Sequence, residues 1–349
     1  MNPKNVLIGV FQQPAQSLAK WFGRGVNTLF DVAEGHDRAA TLNAASALGM
    51  KAMVSPAPTN PGSEVSHPAF LGWVMPDEPE NWPHVPKDAL GNRDFPKAVV
   101  DYVKKYTALK AIAPNVSVFG NFNGSAVTSA QLAYNKPTLV DRNILIGEYK
   151  DIFKGADWLG GDWYVRNTGR SPDQIGSLTR KMINLMRAWS GGKPMLVFIE
   201  CGLQGLNKTG AAAPTPAEMR ANIWISLILG ACGIIYFPAQ VGGGFKFDVT
   251  PTDLVAEMVL QNQQIKQAEP WLLGGQRTMR VETDLEFGAT WRLQDGTEMT
   301  ADVQWNSAGN KWESVISIPD QTGTLKERLK LAESRLAAFD KWLAQVPKG

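Results

Sequence analysis

Short apolar runs alternate with longer amphipathic segments from residue 6 to about residue 273. A run of four to eight β-favouring residues predicts a strand, and apolar residues at three- and four-residue spacing predict a helix. Eight strand and helix units follow one another, although the third strand leads into a proline-rich loop with room for at most a short helix. This alternation is typical of βα units that build a parallel sheet.

The predicted strands cover residues 6–11, 26–31, 51–55, 71–75, 116–121, 157–164, 194–200 and 233–237. The predicted helices cover residues 17–23, 37–48, 96–113, 139–153, 173–189 and 253–271, with a further one that begins at residue 215. Eight units in about 265 residues fit a closed barrel better than an open doubly wound sheet, which usually has fewer strands. The predicted fold class is therefore α/β, a (β/α)₈ TIM barrel.

After Gly275 the pattern changes to alternating strands with turn signals, among them Asp295-Gly296, which favours a hairpin. Residues 325–343 then carry an apolar stripe at helical spacing. We expect a catalytic barrel over residues 1–275 and a small antiparallel β domain with a C-terminal amphipathic helix over 276–349. The stripe is too short for an autonomous coiled coil, so we expect the helix to dock on its own chain. A monomer is favoured, with self-association through this helix as the alternative.

Composition and charge exclude several function classes. The 349 residues are 44% hydrophobic and 19% charged, and the formal net charge of +2 is too small for the basic stripe that nucleic acid requires. The longest apolar stretch, residues 223–238, is interrupted by Ser226, Gly230 and Gly233, which argues against a membrane span. The N-terminus resembles a strand more than a signal peptide. We therefore expect a cytoplasmic protein, or a secreted one if a leader has been trimmed from this sequence.

Cysteine and histidine positions give no support for a metal or a disulfide. Cys201 and Cys232 fall at the end of one predicted strand and at the start of the next, which puts them at opposite ends of a parallel sheet. The three histidines lack the spacing of metal ligands. We expect neither a metal nor another cofactor.

Two glutamates stand where apolar strands end. Glu78 closely follows the strand at 71–75, and Glu200 is the last residue of the seventh predicted strand. Active sites of parallel barrels lie at the C-terminal ends of the strands. A single glutamate at such a position is more simply explained as the start of an exposed loop. Together they match glycoside hydrolysis, which needs one carboxylic acid to protonate the leaving oxygen and one carboxylate to attack the anomeric carbon or activate water.

The sequence resembles the clan A glycoside hydrolases in layout over residues 6–273. Residues 72–79 are similar to the acid/base segment of that clan, and residues 215–237 resemble its seventh helix and eighth strand. The resemblance implies glutamates on strands four and seven, with Glu78 as acid/base and Glu200 as nucleophile of a retaining, double-displacement mechanism. It also implies a carbohydrate substrate with a β-linked hexopyranoside or an α-L-arabinoside type of bond.

Six residues are expected to bind this substrate. Many clan members have Asn before the acid/base, whereas this chain has Asp77, which cannot donate an amide N–H. A negative neighbour would help to keep Glu78 protonated, while Glu200 is expected to stay ionised. The other five candidates lie at or near strand ends and supply polar groups or aromatic platforms: Asn121, Asp162, Trp163, Tyr164 and Tyr236.

Three aromatic residues carry more specific expectations. The resemblance implies that Tyr164 donates a hydrogen bond to Glu200, as the corresponding residue does in several clan members. Trp82 and Trp158 lie in or beside long predicted loops and are expected to line outer subsites.

Two other functions compete with glycoside hydrolysis. A barrel isomerase or lyase would use carboxylates such as Asp31 and Asp162 to hold a divalent metal, although the histidines are poorly placed to help. A non-catalytic carbohydrate-binding barrel would keep the fold without the chemistry, and the presence of both glutamates argues weakly against it.

Overall fold

A computed structural model describes residues 5–80, 94–128 and 146–319. Eight parallel strands close into a barrel in sequence order, with the last strand paired to the first. The strands are β1 (Leu7–Gln13), β2 (Thr28–Val32), β3 (Lys51–Val54), β4 (Phe70–Val74), β5 (Ser117–Asn123), β6 (Trp158–Asp162), β7 (Met195–Glu200) and β8 (Gly233–Phe237). The predicted (β/α)₈ barrel is confirmed.

The helices lie between successive strands, except that residues 55–69, between β3 and β4, form turns and bends. They are α1 (Leu18–Gly23), α2 (Arg38–Ala47), α3 (Phe95–Ile112), α4 (Ile146–Ile152), α5 (Gln174–Ser190), α6 (Pro216–Ile228) and α7 (Thr252–Gly274). Helix α6 begins with a capping box, in which the Thr215 hydroxyl accepts from the Glu218 backbone N–H and the Glu218 carboxylate accepts from the Thr215 N–H. This box fixes the start of the helix that follows β7.

Side chains inside the barrel form one apolar cluster, which we call the interior cluster. Its buried members are Leu7, Phe11, Phe30, Met53, Val74, Phe119, Trp158, Leu196, Phe198 and Ile235. Aromatic rings in this cluster pack edge to face, as Phe30 and Phe119 do with their ring centroids 4.9 Å apart. Trp158, the first residue of β6, is only 2% exposed at the N-terminal end of its strand, so the prediction that it lines an outer subsite is wrong. Trp82 lies outside the described residues.

A four-stranded antiparallel sheet follows the barrel in the order β12-β11-β10-β9. Its strands are β9 (Gln276–Glu282), β10 (Glu286–Arg292), β11 (Glu298–Asn306) and β12 (Lys311–Ser317). Asp295-Gly296 forms the predicted turn between β10 and β11.

The inner face of this sheet packs on the outside of the barrel. Phe287, Trp291 and Trp312 are buried in the same core as the side chains between barrel and helices, which we call the helix-side core. The Trp312 indole N–H donates to the Pro172 carbonyl at 2.8 Å. Sheet and barrel thus share one continuous core, and their division at residue 275 remains a prediction. The predicted C-terminal helix lies outside the described residues.

No helix in the three described ranges combines the length and the apolar character needed to cross a bilayer. Cys201 and Cys232 are both free thiols. The expected monomeric state and the expected location remain predictions.

Candidate active site

The C-terminal ends of the barrel strands form what we call the mouth, and backbone strain collects there. Gln12 and Asp31 are the second-last residues of β1 and β2, Glu78 lies four residues after β4, and their φ angles are 45°, 65° and 40°. Non-glycine residues rarely adopt this left-handed region, at a cost of about 1–3 kcal/mol each, and such strain is often found at functional sites. The Glu78 N–H donates to the Asn121 carbonyl at 3.2 Å, which holds the strained turn against β5.

The Glu78 side chain is half-buried, and Asn123 Nδ2 donates to its Oε1 at 2.8 Å. Its charge acts on the carboxyl group of Asp162, the last residue of β6. The two carboxyl groups therefore lie on the same side of the mouth.

Asp162 is 5% exposed and has negative neighbours. Burial, followed by the negative charges of Glu78, Asp77 and Glu80, raises the pKa of Asp162 well above its usual range. Asn121 Nδ2 donates to Asp77 Oδ1 at 2.9 Å and to Asp162 Oδ2 at 3.3 Å. Asn121 thus joins the β4 loop to the end of β6.

Glu80 is another buried carboxyl group on this side of the mouth. It is 5% exposed, and burial raises its pKa well above the usual range. Its Oε1 accepts the Asn123 backbone N–H at 2.6 Å. Because Asn123 in turn donates to Glu78, Glu80 positions a donor of the candidate acid.

Glu200 has a different environment at the end of β7. It is 3% exposed, and it accepts the backbone N–H groups of Arg166 at Oε2 (3.0 Å) and of Asn167 at Oε1 (2.8 Å). Asn167 Nδ2 adds a third hydrogen bond to Oε1 at 3.2 Å. Burial raises the pKa of Glu200 to about 7, although these donors and the Arg166 charge oppose the rise. Burial therefore acts against the expected ionised form of Glu200, and the three N–H donors act in its favour.

Asn167, fully buried, ties the loop after β6 to the loop after β7. Its Nδ2 also donates to the Gly202 carbonyl at 2.9 Å, and its Oδ1 accepts the Gln204 N–H at 2.7 Å. The neighbouring Arg166 places Nε 3.3 Å from Glu218 Oε2, at the first turn of α6. The donors of Glu200 are thus held by the loop after β7 and by the first turn of α6.

Tyr164 is near both candidate glutamates. Burial and then the charges of surrounding carboxylates, among them Asp162, Glu78 and Glu200, raise the pKa of Tyr164 well above its usual range. Its ring centroid lies 5.1 Å from that of Phe237, the last residue of β8. The hydrogen bonds to Glu200 that the described residues make come from Arg166 and Asn167 instead, so the expected Tyr164 bond is wrong.

Two predicted binding residues point away from the mouth. Tyr236 is fully buried in the helix-side core, and its hydroxyl donates to Asn262 Oδ1 on α7 at 2.8 Å. It faces the helices because side chains alternate along β8 and Ile235 occupies the interior cluster. The prediction that Tyr236 binds substrate is wrong. Trp163 packs against the helix-side core as well, whereas Tyr164 packs against the interior cluster together with Phe237.

A polar cavity of about 330 Å³ extends the mouth beside β1, β2 and β3. Its polar lining residues are Gln12, Asp31, Glu34, His36, Arg38 and Ser55. Ser55 holds the Asp31 carboxylate through its backbone N–H and its hydroxyl, both at 2.9 Å. Within the described ranges, no group of three His, Cys, Asp or Glu side chains has the arrangement of a metal site.

Comparison with known proteins identifies the fold. No protein-family model and no curated protein matches the chain. Among solved structures, a family 39 glycoside hydrolase from the gut symbiont Bacteroides cellulosilyticus WH2 superposes with a TM-score of 0.51 at 12% identity, over 88% of this chain and 71% of that one. Amy13B from Eubacterium rectale gives a TM-score of 0.50 at 9% identity, over 87% of each chain.

A β-galactosidase from the psychrophilic Marinomonas ef1 is also similar, with a TM-score of 0.49 and 11% identity over 75% of this chain. This chain spans 60% of the length of that enzyme. At these identities the likenesses concern the fold. The solved structures that resemble this chain include glycoside hydrolases, and the closed eight-stranded barrel agrees with the architecture implied by the clan A resemblance.

Sequence reasoning missed two residues of this site. Glu80 had a visible signal, because it is the third carboxylate within residues 77–80. Asn167 had none, since it lies in a loop five positions beyond the end of β6 and its partners come from β7 and the loop after it.

Proposed function

We propose that this protein is a retaining glycoside hydrolase in which Glu78 is the acid/base and Glu200 the nucleophile. The observation that carries the proposal is the position of the two glutamates, just past the end of β4 and at the end of β7 of one closed barrel, with Tyr164 within electrostatic reach of both. The Bacteroides cellulosilyticus protein of similar fold is itself a glycoside hydrolase, which agrees with this assignment.

The two glutamates have the supports that these roles need. Glu78 lies among the carboxyl groups of Asp77, Glu80 and Asp162, surroundings in which a proton on one of these groups near the leaving oxygen is favoured. Three N–H donors hold Glu200, and above about pH 7 it presents a negative charge that can bond to the anomeric carbon. Water then releases the sugar from Glu200 with Glu78 as base, and two inversions give net retention.

We propose Asp77, Asn121, Asp162 and Tyr164 as the substrate-facing residues around this pair. The substrate class that we propose is a carbohydrate with a β-linked hexopyranoside or an α-L-arabinoside type of bond. Screening aryl glycosides and polysaccharides would identify the sugar.

The deciding experiment replaces Glu200 by Gly. Hydrolysis should fall by at least about 10⁴-fold, and added azide should attack an activated donor from the vacated face to give a glycosyl azide of inverted configuration. NMR reads the configuration. Glu286→Gly, at an exposed strand position of the small sheet, is the matched control and should keep wild-type turnover without an azide product. An inverted product from the wild-type enzyme would overturn both the retaining mechanism and the clan assignment.

One observation favours a second candidate, a barrel that binds glycans without cleaving them. Glu200 is almost fully buried and anchors the Arg166-Asn167 loop, which is a structural use of a carboxylate. On this view, the wild-type protein would hold a glycan unhydrolysed for days. Glu200→Gln would then weaken glycan binding only as far as it loosens that loop, and hydrolysis by the wild type would eliminate this candidate.

A further inference from the structure

The polar cavity beside β1, β2 and β3 contains two of the strained residues of the mouth. Gln12 and Asp31 line it with φ angles of 45° and 65°. The Asp31 carboxylate is fixed there, because Oδ1 accepts the N–H groups of Val32 (3.0 Å) and Ser55 (2.9 Å) and Oδ2 accepts the Ser55 hydroxyl at 2.9 Å. A carboxylate has about four acceptor positions, so Oδ2 can accept a further hydrogen bond. Strained backbone around a fixed acceptor is typical of a binding site.

The charges of this cavity favour a neutral ligand over an anionic one. Arg38 is the permanent cation of its lining, and Arg38 Nη1 lies 3.5 Å from Oε1 of Glu64, a buried carboxylate. Glu34 lines the cavity as an exposed second carboxylate. An anionic ligand would face Asp31 and Glu34 while the guanidinium group of Arg38 is already paired. The hydroxyl groups of a neutral ligand can instead donate to Asp31.

An aromatic row leads out of the cavity along the loop after β8. His36, in the cavity lining, packs edge-on against Phe247 with ring centroids 5.5 Å apart, and Phe247 packs edge-on against Phe245 at 4.8 Å. Phe245 is 55% exposed. A single exposed apolar side chain needs no explanation, but this one continues a row of rings that begins in a polar cavity.

The loop that carries this row is anchored. The backbones of Gln240 and Lys246 exchange two hydrogen bonds of 2.9 and 3.0 Å, and the Phe247 carbonyl accepts from Gln13 Nε2 at 3.0 Å. Phe245 therefore stands on a fixed support. A ring that is already held in place costs less entropy when a ligand binds to it.

The other end of this loop reaches the residues that follow Glu200. Val249 packs against Gly202, and the Thr250 hydroxyl donates to Cys201 Sγ at 3.8 Å. Cys201 and Gly202 come directly after Glu200 in the chain. The loop after β8 thus connects the candidate nucleophile with the cavity, and a chain of sugar rings at Glu200 has the aromatic row beside it.

We propose that the cavity and the aromatic row form a sugar-binding subsite outside the position of the two candidate glutamates. One ring lies in the cavity, where a hydroxyl donates to Asp31, and a neighbouring ring packs its apolar face on Phe245. The negative face of an aromatic ring attracts the C–H groups on one face of a sugar ring. A cavity of about 330 Å³ is small for a ligand site, which agrees with a single ring. This inference rests on the proposed function and narrows the substrate to a neutral oligo- or polysaccharide.

The test is a calorimetric titration of the full chain carrying Glu78→Gln, in which the proposed function makes hydrolysis slow. The probes are cellohexaose, laminarihexaose and a linear arabinan hexasaccharide, and at least one should bind. Adding Phe245→Ala should raise its Kd about tenfold, and so should Asp31→Asn, because Asn tolerates the left-handed backbone but is uncharged. Leu285→Ala, which removes a side chain that is 44% exposed between β9 and β10, is the matched control and should leave Kd unchanged. A galacturonic acid hexasaccharide should bind at least about tenfold more weakly.

A Kd in Phe245→Ala equal to that in Leu285→Ala, or no binding of any of the three neutral hexasaccharides, would overturn the proposal. If Asp31→Asn fails to fold, Phe245→Ala decides, because its side chain is exposed. With Glu78 restored, Phe245→Ala should lower kcat/KM for the bound hexasaccharide about tenfold more than for an aryl glycoside of a single sugar. The same losses of binding in a protein that hydrolyses no glycoside would support the subsite and refute the proposed function.

Discussion

The two candidate catalytic glutamates, Glu78 and Glu200, have contrasting environments on the two sides of the barrel mouth. On the β4 side, Glu78 lies among the acidic side chains of Asp77, Glu80 and Asp162. On the β7 side, Glu200 is almost fully buried, but its oxygens receive three hydrogen bonds from N–H donors of Arg166 and Asn167.

This difference bears on the assignment of chemical roles. On the β4 side, burial and negative neighbours raise the pKa of Asp162 well above its usual range, so this side of the mouth favours protonated carboxyl groups, as a general acid requires. N–H donors favour the ionised form of Glu200, as a nucleophile requires, while burial works against them and raises its pKa to about 7. The identity of the residue is therefore less informative than the groups that surround it.

Removing the Glu78 carboxyl group, on the β4 side, should give the largest difference in activity between the two sides. Glu78→Ala is expected to lower kcat by about 10²–10⁴-fold for glycosides with poor leaving groups, because general acid assistance is lost. Aryl glycosides with good leaving groups should still form the glycosyl-enzyme, and azide should release a product of retained configuration. Product analysis by NMR checks this. If azide gave the inverted product here and the retained one with Glu200→Gly, the two roles would have been exchanged.

The environment of Glu200, on the β7 side, is tested by the pH dependence of stability and activity. Since the folded-state pKa of Glu200 is raised from 4.5 to about 7, folding favours its neutral form, and the stability it contributes is present at low pH and lost as pH rises through about 7. The loss is on the order of 3 kcal/mol.

Glu200→Gln cannot ionise and should avoid this loss. Its free energy of unfolding relative to wild type, measured by urea denaturation, should therefore rise by about 3 kcal/mol between roughly pH 4 and pH 8. In the wild type, kcat/KM should fall tenfold per pH unit below about pH 7, because the nucleophile becomes protonated. A pH-independent difference in stability, together with an acid limb near pH 4, would mean that the N–H donors outweigh burial.

The smallest expected effect distinguishes a residue at the mouth from a residue in the helix-side core. Tyr236→Phe removes a buried hydroxyl that donates to Asn262, which should cost about 1 kcal/mol of stability and leave kcat and KM unchanged. Tyr164→Phe is the matched variant at the mouth and should alter kcat or KM. Kinetics and thermal unfolding of both variants check this prediction. A raised KM in Tyr236→Phe would mean that Tyr236 contributes to substrate binding.

Much of the architecture follows from the sequence alone. Alternating apolar runs and amphipathic segments predicted eight strands, and β8 was placed at the residues where the structure has it, Gly233–Phe237. The start of α6 at Thr215 and the turn at Asp295-Gly296 were also predicted, because each is built from residues within a few positions of one another. An apolar run that ends in a charge likewise predicted Glu200 at the end of β7.

The partners of these residues were decided by the tertiary structure. Asn121 donates to Asp77 in the loop after β4 and to Asp162 at the end of β6, and Asn167 reaches Glu200 from another loop. The direction of Tyr236 was likewise missed, because a strand buried on both faces carries no polar alternation that would mark its inner side. Local patterns determine where strands begin and end, but packing between strands distant in sequence determines which carboxyl groups lie among other acidic side chains and which among N–H donors.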